Sequence, residues 1–95
     1  MARLVLSPRA QLDLEEIGDY IARDNPAPAL SFLEELRAHC ERVVRMPAAY
    51  PAREDLGGGV RMAVHGRYLI LFRTDGETVR IERFLHSARQ PPRQV

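Results

Sequence analysis

Ninety-five residues, 45% hydrophobic and 28% charged, bound this chain to one small globular domain over residues 1–95, too short to hold a separate substrate domain. No apolar run approaches the about 20 residues that span a bilayer, and residues 1–7 lack the apolar core and cleavage site of a secretory signal, so the expectation is a cytoplasmic protein without a membrane segment. Cys40 is the single cysteine and has no internal disulfide partner, while His39, His65 and His86 lack ligand spacing, which argues against a structural metal.

The net charge of +1 conceals an asymmetry. Residues 1–58 carry seven arginines and ten acids, whereas residues 59–95 carry seven arginines and three acids, so the C-terminal part is basic. All fourteen basic residues are arginine, which leaves no lysine for catalysis.

Arg3 to Ser7 sets Leu4 and Leu6 against Arg3, Val5 and Ser7, and this alternation predicts a short first strand with both leucines inward. Ser7-Pro8 ends that strand and opens a helix, because the hydroxyl can accept an orphan amide and proline is preset for the first helical position. Ala10, Leu14, Ile17 and Ile21 recur at helical spacing, which puts Gln11, Asp13, Glu15, Glu16 and Asp19 on the wet side. Asn25-Pro26 repeats the punctuation and starts a second helix antiparallel to the first. Its stripe is Ala29, Phe32, Leu33, Leu36, Cys40, Val43 and Val44, with Arg42 and Arg45 near the C-terminal end and Pro47 as the stop. Two such stripes need a further apolar surface, so the helical hairpin must lie on a sheet.

Residues 48–59 have no periodicity and close on Gly57-Gly58-Gly59, which predicts a loop of about a dozen residues. Val60 to Val64 reads as the next strand and turns through His65-Gly66. Tyr68, Leu69, Ile70, Leu71 and Phe72 are apolar at every position, the mark of a central strand covered on both faces. Asp75-Gly76 predicts a type I′ hairpin with two positive-φ residues, leading into the alternating run Thr78 to His86. Residues 88–95, with Pro91-Pro92, read as a frayed polar tail. The order β-α-α-β-β-β is an α+β two-layer sandwich, its helical hairpin packed on a mainly antiparallel four-stranded sheet.

Gly66-Arg67-Tyr68-Leu69-Ile70, Phe72-Arg73, Leu85-His86 and Ala88-Arg89 form a C-terminal signature that resembles the ParE toxins, a branch of the RelE/ParE superfamily of bacterial toxin-antitoxin systems. Leu6-Ser7-Pro8, Asp13-Leu14, Ile17, Tyr20-Ile21, Asn25-Pro26 and Phe32-Leu33 extend the likeness through the N-terminal half. The resemblance implies the toxin of a type II module that inhibits DNA gyrase by binding it. It also implies neutralisation by a ParD-like antitoxin whose C-terminal segment folds on the toxin, with no cofactor and no small-molecule substrate. The rival branch contains RelE-like ribosome-dependent mRNA endonucleases.

An endonuclease needs a base, an acid and phosphate-binding cations on one sheet face. Strict alternation puts Val79, Ile81, Arg83 and Leu85 on one face and Arg80, Glu82, Phe84 and His86 on the other, so Glu82 and His86 make an acid-base pair on paper, with Arg83, Arg61 or Arg67 for phosphate. Glu82 is more simply an ion-pair partner of its neighbouring arginines, and His86 a strand-end histidine bonded to backbone. The chain also has no lysine and no tyrosine after Tyr68, and its loop holds one cation, Arg53, beside Glu54 and Asp55. The favoured reading is therefore a protein that acts by binding. Arg61, Arg67, Arg80, His86 and Arg89 are the candidate target contacts, and Tyr20 and Phe84 the candidate exposed anchors for the antitoxin. A β-bulge would instead place Phe84 in the core.

Overall fold

The computed structural model describes residues 2–88 and 95. Its elements are β1 (Arg3–Leu6), α1 (Pro8–Ala22), α2 (Pro26–Arg45), β2 (Arg61–His65), β3 (Tyr68–Asp75) and β4 (Thr78–His86). The sheet runs in the order β1-β4-β3-β2, with β1 parallel to β4 and the other two pairings antiparallel, and the helical hairpin covers one face. The expected α+β sandwich with its β-α-α-β-β-β order is what forms.

Both helix starts follow the punctuation. Ser7 Oγ accepts from the Ala10 amide at 2.9 Å and Asn25 Oδ1 from the Ala27 amide at 3.2 Å, with Pro8 and Pro26 in the first turns. The second helix carries Arg42 and Arg45 in its last turn, where cations meet the negative end of the dipole. Within residues 48–59, a short 3-10 turn at Glu54–Leu56 and an antiparallel bridge from Ala52 to Arg61 tie the loop to the edge of β2.

The hairpin turn is corrected by one residue. His65 pairs with Tyr68 and Asp75 with Thr78, so the two-residue loops are Gly66-Arg67 and Gly76-Glu77. Gly66 (φ 59°) and Gly76 (φ 60°) take the left-handed position, and no non-glycine residue among those described does. Glycine at the first central position followed by a residue of ordinary φ fits the II′ class, so Asp75 belongs to the strand.

The main core joins Ile17 and Ala10 of α1, Leu36, Cys40 and Val43 of α2, and Ile70, Phe72, Val79, Ile81 and Phe84 of the sheet. A second cluster of Leu56, Val60, Leu71 and Leu85, flanked by Met62 and Val95, lies across the sheet. The second cover that an all-apolar β3 demands therefore comes in part from the chain's own loop. The expected frayed tail falls mainly on residues 89–94, which lie outside the described residues. Val95 itself is held, its amide donating to the Leu56 carbonyl at 2.9 Å and its carbonyl accepting from Arg73 at 2.8 Å.

Two further corrections set up the site. The β3–β4 ladder shifts register between Leu71 and Phe72: Phe72 pairs with Ile81 and Leu71 with Arg83, leaving Glu82 as the extra residue of a bulge. The bulge returns Phe84 to the helix side, where it is 3% exposed, so strict alternation past Ile81 fails and Phe84 is no exposed anchor. Asp13, expected on the wet side of α1, is 3% exposed.

Candidate functional site

Asp13 is buried because β4 gives it partners. One carboxylate oxygen accepts from Arg83 Nε at 2.8 Å and from the Phe84 amide at 3.0 Å, while the other accepts from Arg83 Nη2 at 3.2 Å and lies 3.3 Å from Arg9 Nε. A bidentate guanidinium plus a backbone amide satisfies a carboxylate that would otherwise be too costly to bury. Ser7 adds a second clasp, its hydroxyl donating to the carbonyl of the bulged Glu82 at 2.8 Å. These two bonds fix α1 against the C-terminal half of β4.

Between those elements runs an open groove of about 670 Å³. Ile17, Phe84 and Leu85 supply its apolar lining, Tyr20, Tyr68 and His86 its aromatic wall, and Glu16, Asp19 and Arg23 its charged rim. Tyr20 stands 66% exposed. Tyr68 and His86 meet edge to face at 5.2 Å between ring centroids, and His86 Nδ1 accepts from the Ala88 amide at 3.1 Å. The strand-end reading of His86 thus has its backbone bond. Tyr20 and Phe84, paired in the sequence as antitoxin anchors, do line one groove, although Phe84 contributes only as buried floor.

The nuclease candidates do not assemble. Glu82 sits on the face away from the helices, clamped by Arg73 at 2.6 Å and Arg80 at 2.9 Å and only 14% exposed, whereas His86 packs on Tyr68 on the helix side. The bulge between them is what separates the two faces. Arg83 is committed to Asp13. Glu82 therefore has Arg73 as its second partner where the sequence suggested Arg83.

The candidate target contacts are equally scattered. Arg61 donates to the Tyr50 carbonyl at 2.6 Å, Arg80 is held by Glu82, and Arg67 is exposed on the β2–β3 turn. Because Arg80 pairs with Arg73 and His86 with Tyr68, Arg80 and the Arg67–His86 end stand roughly 17 Å or more apart along β3. Arg89 lies outside the described residues. In the 50s loop, Arg53 and Asp55 form a 2.8 Å pair that holds the Asp55 carboxyl below its ordinary range, so that loop presents a closed ion pair.

No cluster of three or more potential metal ligands occurs among the described residues, and none of their helices is long and apolar enough to cross a membrane. Burial, reinforced by Glu41, pushes the Cys40 thiol up to about 12, which leaves it a packing residue.

Asp13 and the second bond of Ser7 were missed in sequence. The signal for Asp13 was present: it sits on the stripe Ala10, Leu14, Ile17, one position before Leu14, so an acid there needed a partner from the sheet.

This geometry has known counterparts. Among solved structures, the chromosomal ParDE TA system from P. aeruginosa superposes with a TM-score of 0.78, covering 90% of this chain and 96% of that one at 22% identity, a likeness of fold. No curated protein matches the sequence. The family model described as the ParE toxin of type II toxin-antitoxin system, parDE, matches residues 4–91, and the chain belongs to the ParE toxin family.

Proposed function

We propose that this protein is the toxin of a type II module that acts by binding DNA gyrase and is neutralised by a ParD-like antitoxin laid in the α1–β4 groove. The observation that carries the antitoxin placement is the groove itself: an exposed Tyr20 beside a lining of Ile17, Phe84 and Leu85, on a scaffold held open by Asp13 and Ser7. A segment that folds on binding can fill such a surface and be removed by proteolysis. Family membership supports gyrase as the target. Glu82 and Arg83 being locked in ion pairs supports binding rather than RNA cleavage, because neither group is free to move a proton or hold a phosphate.

Induction of the chain alone in a bacterium tests the target. Filamentation with a DNA-damage response supports gyrase inhibition, whereas prompt translation arrest with cut messages would establish the RelE-like endonuclease instead. Titration of purified toxin with the antitoxin encoded beside it tests the groove: Tyr20→Ala should weaken binding while the fold is retained.

A further inference from the structure

His39 of α2 and His65 of β2 meet with their Nδ1 atoms 2.9 Å apart and ring centroids at 5.1 Å. Two neutral imidazoles form this bond in one way: one Nδ1 carries hydrogen and donates, and the other presents its lone pair. A first added proton enters at an Nε2 and leaves the bond in place. A second forces hydrogen onto both Nδ1 atoms, so that donor faces donor and two cations stand at hydrogen-bond distance. We propose that this pair is a proton-operated staple between α2 and the β2–β3 hairpin, closed while the two rings share one Nδ1 hydrogen and opened when both become cationic.

The surroundings favour the closed form. From its own helix, His39 faces Arg42, and from β2 it faces His65; burial, then Arg42, then His65 lower its affinity for a proton. From the segment after α2, the Tyr50 ring packs at a tilt with its centroid 6.2 Å away, its carbonyl already bound to the Arg61 guanidinium. From α2, Phe32 packs on His65 at 5.6 Å. The same Phe32 ring touches Tyr68 at 5.4 Å, and Tyr68 touches His86, so the staple is continuous with the aromatic wall of the α1–β4 groove. Opening it would loosen that wall from the α2 side.

The sign follows from linkage. A histidine whose folded-state affinity for protons is lowered contributes stability that is complete above the unfolded value of about 6.5 and is lost as the pH falls below it. Each proton refused by the folded state costs up to about tenfold in the folding constant per pH unit in that window.

The test combines ¹⁵N-imidazole NMR of the wild-type protein from pH 5 to 8 with urea unfolding of the wild type and of His39→Gln/His65→Gln over the same range. Expected are one protonated and one unprotonated Nδ1 at pH 8, two coupled titration steps, and movement of the Phe32 ring resonances with the second step. The wild-type folding constant, divided by that of the double variant, should be flat above pH 7 and fall below 6.5, and Arg42→Gln, which removes a charge that lowers the proton affinity of His39, should raise the His39 titration and make that fall shallower. Independent titration of both rings near 6.5, or a pH-independent ratio, would overturn the proposal. If the double variant does not fold, the wild-type NMR titration alone decides.

Discussion

Replacing Asp13 by alanine deletes the acceptor of three hydrogen bonds at once: two from Arg83, at 2.8 and 3.2 Å, and one from the Phe84 amide at 3.0 Å. Removing one partner of a buried ion pair costs about 3–5 kcal/mol, because the other charge stays behind without compensation. The Arg83 side chain is 20% exposed and can recover some hydration, while the Phe84 amide cannot, which places the expected loss near the lower bound, about 3 kcal/mol. For a domain of this size that lowers the midpoint of thermal unfolding by about 12–24 °C. Asp13→Asn keeps an oxygen for the amide and should lose about half as much. Urea unfolding of Asp13→Ala, Arg83→Ala and the double variant closes a cycle, with a coupling of about 2 kcal/mol expected. A coupling near zero, or an Asp13→Ala variant within about 0.5 kcal/mol of wild type, would refute the account of how α1 is fastened to β4.

Ser7→Ala removes both the cap of α1 and the tie to the Glu82 carbonyl, and should cost about 1–2 kcal/mol in urea unfolding. Gly76→Ala meets no atom within 4 Å, so its expected loss of about 1–2 kcal/mol is purely the left-handed backbone, readable as a lowered midpoint of thermal unfolding. Tyr20→Ala should leave that midpoint unchanged and weaken antitoxin binding by about tenfold or more in a calorimetric titration. Phe84→Ala should instead destabilise the fold by about 3–5 kcal/mol, as a core aromatic does.

The elements were legible because their signals are local. Ser7-Pro8 and Asn25-Pro26 start helices whichever sheet those helices later cover, and Leu36, Cys40 and Val43 report a buried face by spacing alone. What eluded the sequence was pairing. Asp13 lies within the arc of Ala10, Leu14 and Ile17, but the partner that makes its burial tolerable is about 70 residues away, and only the sheet brings Arg83 there. The II′ turn differs from the expected I′ turn by a one-residue shift in strand pairing, a matter of which residues face each other across the ladder. Tyr20 was legible as a candidate because an aromatic outside the apolar stripe has little reason to be there; the groove around it depends on how β4 passes α1.

The bulge at Glu82 decides the character of the site. Val79 and Ile81 are two residues apart, but the next inward apolar side chain, Phe84, is three beyond Ile81, and that break in period is the trace of the extra residue in the sequence. With an unbroken ladder, Glu82, Phe84 and His86 would share the outer face, and the acid-base pair of a nuclease would have had a common surface. With the bulge, Phe84 falls into the core and becomes groove floor, His86 joins Tyr68 in the groove wall, and Glu82 stays outside as the centre of an arginine clamp. Its carbonyl takes the Ser7 hydroxyl, and the amide of Phe84 just beyond it is met by Asp13. One additional residue in β4 thus builds the groove and separates the Glu82–His86 pair in the same step, which is why an open groove and the lack of a convergent acid-base pair occur together here.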